Sequence, residues 1–373
     1  MFKFFKWFFG ILILLTALLG GFIYFTNWYP AGNQSEKVNK EGKSPRLKIN
    51  QKIKVLSWNV QYMAGKDFVF FYDDGADVAK NVATRPTKVA IRQTLKEVAK
   101  VIIEENPDII LLQEVDEGAA RTDYQDQLEE LLLLLPDEYK NYTSAFYWKS
   151  LFVPDPNVAG SAGMKLSILS KYEIKSSTRH SLPLIEYDNL PFNRVVYEWI
   201  KRQFYIKRAI QEVAFPVEGG EDFIVFNTHF SAFAQGSNTM QKQVAKAKQL
   251  LDNAQAKGNY WIFGGDLNLL PPGKSFEKLS ATHQGLYQEK SEIEVLFKDY
   301  PVFPSQAQAD SSNAKMFYTH FPNDPRVTTP DRIIDYIFYS PNISPSQAFV
   351  KQENTLRISD HLPVVMEFEL KKK

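Results

Sequence analysis

The 373-residue sequence predicts an α/β fold, with two central sheets covered by helices on both outer faces and an N-terminal transmembrane helix ahead of them. Three observations carry this expectation. Short apolar runs alternate with segments of helical periodicity from residue 53 onward, Trp7 to Thr26 is almost wholly apolar, and no second break in composition follows residue 52.

No charge occurs between residues 7 and 35. About 20 apolar residues cross a bilayer, and aromatics at the flanks suit the headgroup belts. Trp7, Phe8 and Phe9 stand at one end of the run, and Tyr24, Phe25, Trp28 and Tyr29 at the other. Residues 1–29 are therefore expected to be a membrane anchor, its helix spanning about 7–28. A cleaved signal peptide is the ordinary alternative, but the run is long for one and no small-x-small site follows it. Lys3 and Lys6 precede the span, and Lys37, Lys40 and Lys43 follow it. The orientation expected is a short cytoplasmic N-terminus with the folded domain on the extracytoplasmic side. Residues 30–52 are polar, basic and broken by Pro and Gly, and read as a flexible basic linker. Residues 53–370 then form one domain, expected to be monomeric and without an obligate protein partner.

Within it, Ile53 to Trp58 reads as a strand and Thr87 to Glu105 as a helix, with Val89, Leu95, Val98, Val101 and Ile102 near one face. After Pro107, the run Asp108 to Leu112 has the apolar density of a buried strand and ends at Gln113-Glu114. Asp126 to Leu135 is helical again. Leu166–Ser170, Ala209–Phe215, Phe223–Asn227, Trp261–Gly264, Ile333–Tyr339 and Val364–Leu370 complete the strands, with a helix over Met240–Ala256. Such layering brings strand ends to a common rim.

The formal charge is +1, yet nine Lys and Arg against Glu36 and Glu41 in the first 54 residues leave the remainder at about −6. That balance disfavours a dedicated nucleic-acid binder, whose affinity comes from clustered cations on phosphates. The absence of cysteine excludes disulfides, thiolate nucleophiles and Cys-ligated zinc.

Polar clusters at the ends of apolar runs hold the candidate chemistry. Asp266 and Asn268 lie two apart after Gly264-Gly265, so in extended chain both face one way, though a turn cap is their ordinary use. Glu114 ends a strand that should be buried, and an unpaired buried carboxylate is costly without a cation, be it a metal or an Arg or Lys partner. With Asn59 and Asp360 it would make an all-oxygen site suited to magnesium or manganese. His229 and His361 also stand at strand ends. Either one singly reads as a structural histidine, but with Asp335 available to orient a ring the pair makes a stronger case. His320 precedes the Asp335 strand and ranks below them as a residue of the substrate cleft.

Trp58-Asn59, Gln113-Glu114, Asn227-Thr228-His229, Gly265-Asp266-Leu267-Asn268, Ile334-Asp335-Tyr336 and Ser359-Asp360-His361, in this order, resemble the endonuclease/exonuclease/phosphatase superfamily over roughly Ile53 to Leu370. The resemblance implies a four-layered α/β/β/α sandwich of the deoxyribonuclease I type and metal-dependent hydrolysis of phosphoric esters. By it, Asn59, Glu114 and Asp360 fall at the metal site. Asp266 matches the residue that orients or deprotonates water, Asn268 a phosphate binder, Asp335 the carboxylate that orients a histidine, and His361 the histidine at the scissile phosphate. His229 matches a second histidine of the deoxyribonuclease and sphingomyelinase branches, which favours diesters. Where abasic-site nucleases carry a tyrosine, this chain has Gly163-Met164-Lys165. Lys165, with Arg208, is instead a candidate phosphate contact, although solvated surface charges are the plainer assignment for both.

The expected reaction is in-line attack of water on phosphorus with Mg²⁺ or Mn²⁺. A lipid headgroup diester suits the anchor and the aromatic-rich loops expected at Phe68–Tyr72, Phe146–Trp148 and Phe230–Phe233, most of whose aromatics could equally be core. An exported nuclease is the alternative, and a catalytically inactive tethered binding module a further one, which would predict a missing site residue.

Overall fold

Alternate residues of the first two apolar runs face opposite layers. Ile53, Val55, Ile109 and Leu111 enter one buried cluster and Leu56, Trp58, Ile110 and Leu112 another, as in strands covered on both faces. The computed structural model describes residues 2–68, 85–154, 158, 160–186, 191–232, 234, 236–324 and 326–372. Its first elements are helix α1 (Phe2–Thr26), strands β1 (Asn33–Ser35), β2 (Val38–Asn39), β3 (Leu47–Lys48) and β4 (Lys52–Asn59), and helix α2 (Lys88–Glu105). Next come β5 (Ile109–Asp116), helix α3 (Gln127–Leu132), β6 (Asn141–Val153), β7 (Gly160–Ser170), β8 (Ser176–Ser181) and helix α4 (Phe192–Gln203). Then follow β9 (Ala209–Phe215), β10 (Val217–Glu218), β11 (Phe223–His229), helix α5 (Thr239–Ala256) and β12 (Tyr260–Asp266). The last strands are β13 (Val302–Phe303), β14 (Asp335–Tyr339), β15 (Ile343–Val350) and β16 (Val364–Leu370).

Two seven-stranded mixed sheets result, ordered β15-β16-β4-β5-β7-β6-β2 and β1-β8-β9-β11-β12-β14-β13. Their facing sides share one core, in which Val55, Leu111 and Ile168 meet Val213, Val225 and Ile262. Outside the first sheet, Ile91, Leu95 and Val98 of α2 and Leu128 and Leu131 of α3 cover Trp58 and Leu112. Outside the second, Met240, Val244 and Leu251 of α5 cover Phe226 and Phe263. Helix α2 starts where the Thr87 hydroxyl accepts the Ala90 N–H (3.1 Å) and stops at Asn106, whose left-handed φ of 49° turns the chain into β5. Val89, expected on its inner face, is exposed.

The parallel pairs β4/β5 and β11/β12 send their C-terminal ends to one rim, and antiparallel β14 and β16 begin there. In register, His229 lies opposite Asp266 and Asp266 opposite Asp335.

Residues 30–52, expected as a free linker, are instead bound along the domain. β1 extends one sheet against β8, β2 extends the other against β6, and β3 pairs with β10, burying Leu47 completely. An edge strand is held by main-chain hydrogen bonds, which a polar sequence forms as readily as an apolar one. Strands β6, β8 and β15 and helix α4 were not anticipated: polar Ser, Thr and Lys break the apolar pattern of β6 and β8, and Pro345 interrupts that of β15. Phe146-Tyr147-Trp148 belongs to β6 and is not a loop. Of the other aromatic segments, Val69 to Tyr72 and Phe233 lie outside the described residues.

Helix α1 is long and apolar enough to cross a membrane, and its side chains are nearly all exposed. Its C-terminal end is fixed to the domain. Ser150 Oγ of β6 donates to the Thr26 carbonyl (2.9 Å), and the Phe22 and Phe152 rings meet edge-on at 6.0 Å.

Candidate active site

Asp266 is the hub. Gly265, just before it, has φ of 135°, and a Cβ there would stand 2.0 Å from the Thr228 carbonyl oxygen, so only glycine lets β12 press against β11 at the site. One Asp266 oxygen, Oδ2, lies 3.0 Å from Asn59 Nδ2, 3.2 Å from His229 Nε2 and 3.5 Å from His361 Nε2. The other accepts the Asn268 N–H at 3.0 Å, across a turn in which Asn268 has φ of 50°. Burial pushes the Asp266 carboxyl up to about 7, with the His361 charge opposing and that of Asp335 adding.

The two histidines are driven apart. His361 Nδ1 donates to Asp335 at 2.9 Å. Burial works against its charge, but the Asp335 and Asp266 carboxylates outweigh burial and hold the ring well above the usual histidine range. His229 is held well below that range by burial, then by Arg208 and His361. A charged ring and a neutral ring thus flank one carboxylate, the separation by which a site divides acid from base.

Glu114 reaches the site through a bulge. The β5/β7 register slips between Leu112 and Val115, and Glu114 takes φ of 58°, a left-handed backbone that costs energy in a non-glycine residue. Its Oε1 accepts from Asn59 Nδ2 at 3.0 Å, whereas Oε2 is buried without a hydrogen-bond partner. Burial, and then the neighbouring Asp360 charge, raises its proton affinity. A buried anionic oxygen left open beside a second carboxylate is suited to a hard divalent cation.

Asn59 differs from its expected place as an oxygen ligand. Its amide nitrogen bridges Glu114 and Asp266, and its oxygen accepts the Gln61 N–H at 3.0 Å, so it positions the two carboxylates. Asp360 accepts from the Ser359 hydroxyl (3.3 Å), and its own N–H is tied to Gln61 Oε1 (3.0 Å). Trp58 Nε1 on the His361 carbonyl (2.9 Å) and Ser359 Oγ on the Asn59 carbonyl (2.8 Å) staple the C-terminal block to the end of β4. Beneath the rim, Gln113 Nε2 donates to Asn227 Oδ1 (2.7 Å), joining the sheets.

Among the described residues, two triads bring ligand-type atoms within 4.8 Å of one another: Asp266, Asp335 and His361, and His320, Asp360 and His361. His361 is common to both, and its Nδ1 already donates to Asp335 at 2.9 Å, whereas Glu114 Oε2 has no hydrogen-bond partner. His320 packs edge-on against His361 at 4.6 Å, with its Nδ1 buried and unpartnered.

Lys165, a candidate phosphate contact, is engaged by carboxylates instead. It is buried, and its ammonium group lies 2.5 Å from Glu117 and 3.4 Å from Asp126, both of which occupy it. Arg208 is buried near the site, with its guanidinium 5.2 Å from the Tyr147 ring and Nη1 unpartnered. Two contributors escaped sequence reasoning. Tyr147 lies fully buried with its hydroxyl 3.3 Å from His229 Nδ1, and Gln61 holds both Asn59 and Asp360. A tyrosine in an aromatic run and a glutamine after a strand give no signal that separates them from core and turn.

The model of the Endonuclease/Exonuclease/phosphatase family matches residues 56–361. Among solved structures, an endonuclease/exonuclease/phosphatase from Beutenbergia cavernae is similar at 21% identity and TM-score 0.55, over 86% of this chain and 72% of that one. The human Nocturnin catalytic domain with bound sulfate is similar at 18% and 0.52, over 90% and 97%. A family protein from Leptotrichia buccalis is similar at 15% and 0.51, over 85% and 99%. At these identities the likeness is one of fold. No curated protein sequence matches the chain.

Proposed function

The chain belongs to the endonuclease/exonuclease/phosphatase family, a family of metal-dependent phosphoester hydrolases, and on that basis we propose that it is a membrane-tethered phosphodiesterase acting on lipid headgroups. The observation that carries the diesterase reading is the shared oxygen of Asp266, within 3.5 Å of both a neutral and a charged histidine. Glu114, with Asp360 beside it, would hold Mg²⁺ or Mn²⁺, which when bound supplies a Lewis acid for a phosphoryl oxygen. Asp266 orients water and takes its proton as the water oxygen attacks phosphorus. The bond to the leaving oxygen breaks on the opposite side, and the His361 imidazolium, steadied by Asp335, gives that oxygen a proton. His229, held by Tyr147, keeps Asp266 aimed, and Asn268, Arg208 and His320 line the place of the phosphate.

The lipid reading rests on strand β6, which carries Tyr147 beside His229 and, three residues on, Ser150 bonded to the end of α1. At about 3.3 Å per residue the site stands roughly 10 Å along that strand from the anchor. We place the catalytic domain on the extracytoplasmic side and the active unit as a monomer. The test compares full-length protein in proteoliposomes, with and without Mg²⁺, for release of headgroup from phospholipid and for cleavage of plasmid DNA and single-stranded RNA. Metal-dependent headgroup release should dominate; preferential nucleic-acid cleavage would reassign the substrate.

A further inference from the structure

Helix α4 carries an apolar stripe that the described residues leave uncovered. Val195, Val196 and Trp199 are 47%, 47% and 60% exposed and share one helical face. Arg194, Lys201 and Arg202 accompany them on this helix against the single acid Glu198. The end of this helix and the end of β6 both adjoin the α1 segment. Tyr29, just past α1, donates to Gln203 Oε1 at 3.3 Å at the end of α4, and Phe152, at the end of β6 beside exposed Leu151, meets Phe22 of α1. A basic amphipathic helix joined in this way to a spanning helix has the make-up of an interfacial one, whose apolar side chains enter the acyl boundary while its cations meet anionic headgroups.

We propose that α4 lies in the headgroup layer of the bilayer that α1 spans, with Val195, Val196 and Trp199 inserted and Arg194 and Lys201 on anionic lipid phosphates. This rests on the reading of α1 as a membrane anchor. Five residues beyond Gln203 stands Arg208 at the site, so the seating of α4 sets the height of the phosphate-binding rim above the lipid.

The chain has no cysteine, so single cysteines give unambiguous nitroxide labels. Labels at Val196→Cys, Trp199→Cys, Leu14→Cys in α1 and Lys96→Cys on exposed α2 are to be compared, with full-length protein in phosphatidylcholine/phosphatidylglycerol vesicles, by their relaxation with oxygen and with an aqueous nickel chelate. The oxygen-to-nickel ratio at positions 196 and 199 should exceed that at 96 several-fold and approach that at 14. Labels on α4 as aqueous as Lys96→Cys, with Leu14→Cys in lipid, overturn this inference alone; an aqueous Leu14→Cys overturns the anchor as well. Dipolar broadening between α4 labels would assign the face to a second copy and also overturn the inference. The combined variant Val195→Ser, Val196→Ser, Trp199→Ser should lose several-fold turnover on bilayer lipid while hydrolysing a soluble diester normally. Equal loss on both substrates would contradict the proposed role.

Discussion

At the scale of single residues, the geometry assigns distinct work to side chains that look alike in sequence. Asp266→Asn keeps the shape and removes the proposed proton acceptor, and should lower kcat by about 100- to 10,000-fold, the usual worth of a general base. Steady-state kinetics at saturating metal checks this, and undiminished turnover would refute the role. Lys165→Ala should leave KM unchanged and cost roughly 1.5–3 kcal/mol by chemical denaturation, the range for hydrogen bonds to charged groups, and nearer the low end because its partners are partly exposed. Glu114 was legible in the sequence because a carboxylate at the end of an apolar run is costly and so conspicuous. Asn59 was legible as a position but not in its role, since which side of an amide faces a site depends on a neighbour, here Gln61, that only the fold supplies. Lys165 misled because a lysine flanking a strand near the site has the same one-dimensional signature whether its partner is a phosphate or a carboxylate.

At the scale of elements, strands buried on both faces announced themselves and edge strands did not. β5 and β11 are buried throughout and read as apolar runs, whereas β1 (Asn-Gln-Ser) owes its place to backbone pairing with β8. The packing of β3 makes a firm prediction: Leu47→Ala should cost about 2–5 kcal/mol, as for a buried leucine, measured by urea unfolding of the detergent-solubilised chain. A change near zero would restore the free linker. At the β11/β12 contact, Gly265→Ala forces a methyl group 2.0 Å from a carbonyl oxygen and should destabilise by at least the 1–3 kcal/mol typical of overpacking, with activity falling in step because Asp266 is displaced. Loss of stability without loss of activity would detach Gly265 from the site.

At the scale of the whole molecule, six short polar blocks separated by up to some 300 residues meet because parallel strands end, and antiparallel ones begin, at a single rim. The alternation of strands and helices in the sequence foretold layers and a rim, but the register that sets His229 beside Asp266 and Asp266 beside Asp335 belongs to the pairing of distant strands. What unites these scales is the proposal of a divalent-cation site on the open oxygen of Glu114. A cation bound only by the folded state stabilises it, by about 2.7 kcal/mol at one hundred times its dissociation constant. The decisive measurement is therefore the melting temperature of full-length wild type and Glu114→Gln as Mg²⁺ is titrated. Wild type should melt progressively higher, and the variant, already relieved of a buried charge, should start higher and stay flat. Parallel rises in both proteins, or none in wild type, would contradict a cation held by Glu114.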